Sequence, residues 1–80
     1  PSLRVGADAL CQALADSVTL YGEHLGVRTM RKHFASFVDW AIPEPEAARE
    51  WRGRLCRAQN RLEAEAALMA FASSAQESAA

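Results

Sequence analysis

Cysteine occurs only at Cys11 and Cys56 in the 80 residues, without CxxC spacing and without a nearby histidine pattern. That argues against a disulfide scaffold or a thiolate metal site and leaves two small, partly buried thiols as the expectation. Glycine is scarce as well. The 4 glycines form no phosphate-cradling loop, and neither a paired-acid motif nor a nucleophile elbow is present. No apolar run approaches the roughly 20 residues that span a bilayer, and the opening Pro1-Ser2-Leu3-Arg4 lacks the apolar region of a signal peptide. The chain therefore reads as cytoplasmic, with no membrane and no metal partner expected. Nothing alternates with the period that a strand requires, and there is no internal repeat. A chain this short builds one small core, which excludes a large enzyme fold.

What is present is helical periodicity. Hydrophobic residues make up 50% of the chain and the formal net charge is -1, a composition that suits a packed globular domain. Leu10, Leu14, Val18, Tyr21 and Leu25 recur at three and four, which predicts a first helix over about 7–23, loosened at its end by Gly22 and Gly26. Val27, Met30, Phe34, Phe37, Val38 and Ala41 form a second stripe, stopped by Pro43 and Pro45. Pro45 suits the first position of a third helix with Ala48, Trp51, Leu55 and Ala58 inward. Asn60 and Glu63 have the spacing of a cap pair opening a fourth helix, whose less regular apolar side carries Leu62, Leu68, Met69 and Phe71. The expected fold is all-α: a small, mainly antiparallel four-helix bundle over 1–72, with 73–80 a frayed tail lacking an apolar pattern. Trp40 and Trp51 are expected in the core or at its edge.

The small net charge hides an asymmetry. Both ends are acidic, whereas residues 28–61 hold eight of the nine basic residues against four acidic ones. At about 100° per residue, Arg28, Arg31 and Lys32 fall on the side of the second helix away from Met30 and Phe34. No carboxylate lies three or four positions from them. Arg54 and Arg57 have Glu50 at four and seven positions before them, so part of their charge is expected to be matched within the third helix. Arg49 and Arg52 have no such intrahelical partner on their side. If the second and third helices pack as antiparallel neighbours, both clusters border one surface. Basic side chains so placed are either solvated surface arginines or a nucleic-acid contact. Without catalytic groups to assemble, the chain reads as a binding module, and no catalytic residue is assigned.

The run Tyr21-Gly22-Glu23, Gly26-Val27-Arg28, Arg31-Lys32-His33, followed beyond the prolines by Ala48-Arg49-Glu50-Trp51-Arg52, resembles the C-terminal helical domain of bacterial tRNA-dihydrouridine synthases. The likeness covers roughly residues 7–72 and is nearest to the B type, whose members are also known as nitrogen-regulation operon proteins. Two positions depart from the family's pattern. Ala13 stands where relatives often carry histidine, and Ser36-Phe37 stands where they commonly carry an aromatic pair.

The resemblance implies a two-domain parent enzyme, an oxidoreductase of tRNA processing. A TIM barrel, upstream of this chain and absent from it, binds FMN; NADPH reduces the flavin; and the flavin reduces the C5=C6 bond of a uridine in tRNA. Neither Cys11 nor Cys56 matches the barrel cysteine that acts as acid, so this chain is expected to be non-catalytic and to hold no cofactor. Its implied partners are tRNA and its own barrel. The implied tRNA-binding residues are Arg28, Arg31, Lys32, Arg49 and Arg52 on phosphates, with His33 either bonding phosphate or ribose or bracing the helix pair. A small helical protein-interaction module without affinity for nucleic acid is the rival reading.

Overall fold

A computed structural model describes residues 3–79. Four helices follow in order: α1 Leu3–Tyr21, α2 Glu23–Ala41, α3 Pro45–Cys56 and α4 Arg61–Ala79, with no strand among the described residues. The fold is a small all-α bundle in which consecutive helices run antiparallel. The stripes contribute to one core, where Leu14, Val27, Phe34, Val38, Leu55, Leu68 and Phe71 are fully buried, whereas Tyr21 of the α1 stripe is exposed. The layout is rhombic. α2 and α4 run parallel and touch across the middle, α1 and α3 lie on either side of that pair, and α1 and α3 do not meet.

Three turns make this topology from local chemistry. Gly22 alone separates α1 from α2, at φ 89° and ψ 170°, a conformation that side-chain-bearing residues avoid. Its N–H still donates to the Val18 carbonyl at 2.8 Å, so the reversal leaves few orphan groups. Ile42 takes extended backbone ahead of Pro43, as a residue before proline must, and its N–H closes the end of α2 on Val38 O. Pro45 then opens α3 at a position where its missing N–H costs nothing. At the last turn the Glu63 N–H donates to Asn60 Oδ1 at 2.9 Å, the expected cap. The Glu63 carboxylate reaches back to the Gln59 N–H at 2.8 Å, one residue further than in the usual reciprocal box.

Several expectations are corrected by this packing. α1 ends at Tyr21, and Gly26 lies buried within α2 instead of loosening the end of α1. A Cβ built on Gly26 would stand 2.6 Å from Val18 Cα, so the two backbones touch where the glycine is. Ser17, the only buried polar residue described, donates its hydroxyl to the Gly26 carbonyl at 2.9 Å across the same contact. Leu25, assigned by spacing to the stripe of α1, is exposed, as is Leu62 of α4 at 72%. Ala64 and Ala72 are buried in α4 instead, because alanine lets α4 lie close to its neighbours. The helix continues to Ala79, past residue 72 where a frayed tail is expected, and Ala75 still packs on the core one turn beyond Phe71. Residues 1, 2 and 80 lie outside the described residues.

Two substitutions test the packing. Gly26→Ala gains about 1 kcal/mol of helix propensity but must push α1 and α2 apart, so a net loss of about 1–2 kcal/mol is expected in urea denaturation. A raised midpoint would show that the helices do not approach this closely. Phe34→Ala, at a site of 0% exposure, should cost about 3–5 kcal/mol and abolish most of the cooperative transition.

Candidate nucleic-acid interface

The second helix supplies the face. Its core stripe of Val27, Met30, Phe34 and Val38 fixes its rotation, and at 100° per residue Arg28, Lys32 and Asp39 then share the opposite side. Arg28 and Lys32 are exposed, and among the described residues no carboxylate lies within ion-pair distance of either. Asp39 lies seven residues beyond Lys32, about 10 Å along the helix. It is the only acidic residue of α2 after Glu23, whose own carboxylate is turned to the Arg61 N–H at the start of α4.

Arg31 does not belong to that outer face. Position 31 is 60° from Phe34, on the flank that meets α3, and the side chain is half-buried. Its Nη2 donates to the Ala58 carbonyl at 3.5 Å, and its Nε is buried without a hydrogen-bond partner. That carbonyl lies in the turn just past α3, at the helix end that favours positive charge. Arg31 therefore ties α2 to the α3–α4 turn. The expectation that it shares the outward cluster with Arg28 and Lys32 is corrected: a long side chain on a flank lies along the neighbouring helix and need not point to solvent.

Arg52 is likewise committed. Its guanidinium Nη1 donates to Asp39 Oδ1, a salt bridge between α3 and α2. The partner is invisible to intrahelical spacing because it comes from the facing helix. Arg49 lies one turn earlier on the same flank of α3 and is exposed, without a carboxylate partner among the described residues. The basic residues of α2 and α3 thus border one face, with the Asp39–Arg52 pair between Lys32 and Arg49. His33 is exposed as well, 100° round from Lys32 toward the α1 side.

The expected pairing of Arg54 and Arg57 with Glu50 does not form. Arg54 instead lies over the Trp51 ring at 4.1 Å from its centroid, a cation–π contact, while Trp51 packs edge-on against Phe71. Among the described residues the ion pairs are Arg52–Asp39 and Arg61–Glu65. Trp40 is the residue that sequence reasoning misplaces: it is 67% exposed, with its ring stacked on Phe37. The available signal was its position seven residues after His33, within 20° of it on the wheel and well away from Phe34.

Away from that face lie a half-buried thiol and a concavity. Burial, helped by the nearby Glu65 and Asp8 carboxylates, pushes the Cys11 thiol above its ordinary value, so it stays protonated at neutral pH. A concavity of about 390 Å³ lies between the α2–α3 turn and the end of α4, walled by Ile42, Pro43, Trp51 and Ala75, with Glu44 as its charged group. No group of three metal-ligating side chains is found among the described residues, and no described helix is long and apolar enough to cross a membrane.

Comparison with models of known families, with curated proteins and with solved structures finds no match to this chain.

The different roles of these arginines can be separated by stability. Arg31→Gln should lower the thermal midpoint by the equivalent of about 1 kcal/mol, because the bond to Ala58 and the packing of the alkyl stem both go, whereas Lys32→Gln should stay within about 0.5 kcal/mol of the parent. Equal effects would place Arg31 back on the solvent face. A double-mutant cycle of Arg52→Gln with Asp39→Asn should give a coupling of only about 0.2–1 kcal/mol that fades with added salt, because both side chains are substantially exposed.

Proposed function

We propose that this chain is the tRNA-gripping helical domain of a flavin-dependent tRNA-dihydrouridine synthase, and that Arg28, Lys32 and Arg49 hold tRNA through its phosphates. One observation carries the reading. These three exposed cations border a single face of the bundle whose one intervening carboxylate, Asp39, is already tied to Arg52. A phosphate backbone approaching that face meets three cations that make no ion pair among the described residues, with exposed Glu46 one turn before Arg49 at its margin. The motif Tyr21-Gly22-Glu23 through Arg31-Lys32-His33, with its likeness to the C-terminal domain of that enzyme family, supplies the identity of the nucleic acid.

Within this proposal the chain contributes recognition and no chemistry. FMN and NADPH belong to the TIM barrel expected upstream, and the parent works in the cytoplasm, where its tRNA substrate is. A uridine must leave its stack to meet a flavin, which costs a few kcal/mol. Phosphate contacts made by a rigid bundle elsewhere on the folded RNA offset that cost without reading sequence. Arg31 and Arg52 act differently: one fixes the helix that carries Arg28 and Lys32, and the other neutralises Asp39. The competing reading, a protein-interaction module, draws on exposed apolar side chains such as Leu20 and Leu62, and it predicts partner binding that is insensitive to salt.

The test is the salt dependence of binding to unfractionated tRNA, followed by fluorescence anisotropy. Replacing Arg28, Lys32 and Arg49 by glutamine should weaken binding and flatten the slope of log affinity against log salt by about one unit for each phosphate no longer neutralised. Arg54→Gln, which removes a cation already placed over Trp51, is the control and should change neither. An unaltered affinity and slope in the triple variant would favour the protein-interaction module. The coding sequence before residue 1 gives an independent check, since anything other than a TIM barrel there would sink the assignment.

A further inference from the structure

Tryptophan is costly to leave in water, and Trp40 is 67% exposed although Val38, two residues before it, is fully buried. Its indole is not loose. It stacks on Phe37 with ring planes 17° apart and centroids at 6.3 Å. Phe37 is itself fixed from two sides. Its edge meets the ring of Phe71 at 5.5 Å, and it lies over Gly6, where a Cβ would stand 2.7 Å from Phe37 Cε1. The result is an aromatic shelf built from the core outward, in which one face of the indole rests on protein and the side chain still presents most of its area to solvent.

The surroundings say what such a shelf takes. Trp40 shares the outward strip of α2 with His33, and Ser36, one turn before Trp40, separates it from the strip of Arg28 and Lys32. Of the carboxylates that follow or precede it within four residues, Asp39 is held by Arg52, and Glu44 lies beyond the Ile42–Pro43 turn on the wall of the concavity. A flat, preordered aromatic on the same helix as the exposed cations Arg28 and Lys32 suits an unpaired nucleobase: the cations hold the backbone and the indole takes the π-face of a base.

We propose that Trp40 is a stacking platform for an exposed nucleobase of the bound RNA, at the margin of the Arg28–Lys32 face. The inference rests on the RNA-binding reading above and adds to it a contact that is aromatic and independent of charge. Stacking of this kind is tolerant of base identity, so it positions a splayed base without specifying it.

The two readings fail differently. With unfractionated tRNA, Trp40→Ala should weaken binding by about 5- to 150-fold, the range seen when one base–aromatic stack is removed, while leaving the salt slope unchanged because every phosphate contact remains. Trp40→Phe should restore part of the affinity. In a Trp51→Phe background, where Trp40 is the only tryptophan, tRNA should quench its fluorescence in step with binding. Far-UV circular dichroism and the thermal midpoint of Trp40→Ala should match the parent, since the side chain is largely exposed. If Trp40→Ala binds tRNA as the parent does while Arg28→Gln with Lys32→Gln does not, the platform is overturned, the RNA reading stands, and the indole is left to a protein contact. If the parent chain shows no salt-dependent affinity for tRNA, both readings fall together.

Discussion

The contact of Gly26 with the backbone at Ser17 and Val18 is the constraint on which the rest of the bundle depends. Two helices joined by a single residue can form a hairpin only if their axes close quickly, and a side chain at position 26 would collide with Val18. The absent Cβ lets the backbones meet, and the Ser17 hydroxyl bonded to the Gly26 carbonyl converts that proximity into a fixed register. A buried hydroxyl is tolerated there because its hydrogen bond is made. Once α1 and α2 are locked, the rotation of α2 is settled, and with it which of its side chains face the core, the flank and the solvent.

That rotation sorts cations that are adjacent in sequence into different tasks. Arg28 and Lys32 stay outside. Arg31, only one residue from Lys32, lies along α3 and holds the Ala58 carbonyl at the turn into α4. Arg52 reaches across from α3 to Asp39. The committed cations shape the face and the uncommitted ones are available to a ligand, so a count of positive charge in the basic middle of the chain overstates what can bind. Compensation of Asp39 matters as well, because Arg52 offsets the one carboxylate that α2 carries after Glu23.

Aromatic side chains link that face to the interior. Trp40 rests on Phe37, Phe37 and Trp51 both meet Phe71, and Arg54 covers Trp51, so contacts run from an exposed indole on α2 through the middle of α4 to a cation on α3. Edge-to-face and offset packing gives each ring a preferred orientation. A side chain held in this way loses little conformational entropy when a ligand stacks on it, which is the physical advantage of building an exposed aromatic on a buried one.

Periodicity and turn chemistry by themselves determined the all-α class, the four helices, the break at Pro43 and Pro45, the Asn60–Glu63 cap and most of the core of α2 and α3. These are legible because helix formation and burial depend on spacings within a few residues along the chain. The exposure of Leu25, Leu62 and Trp40, the burial of Gly26 and Ser17, the role of Arg31 and the Asp39–Arg52 pair were decided only by tertiary structure. Each depends on which helix lies alongside: Gly26 reads as a helix breaker until the backbone of α1 lies against it, and Arg52 reads as unpaired until α2 brings Asp39 within reach. Ala64 and Ala72 pass as spacers in sequence, yet they are core because a neighbouring helix comes close enough to cover a methyl group. Local order is written in the chain at short range, whereas partnership between side chains thirteen or more residues apart is set by how the helices pack.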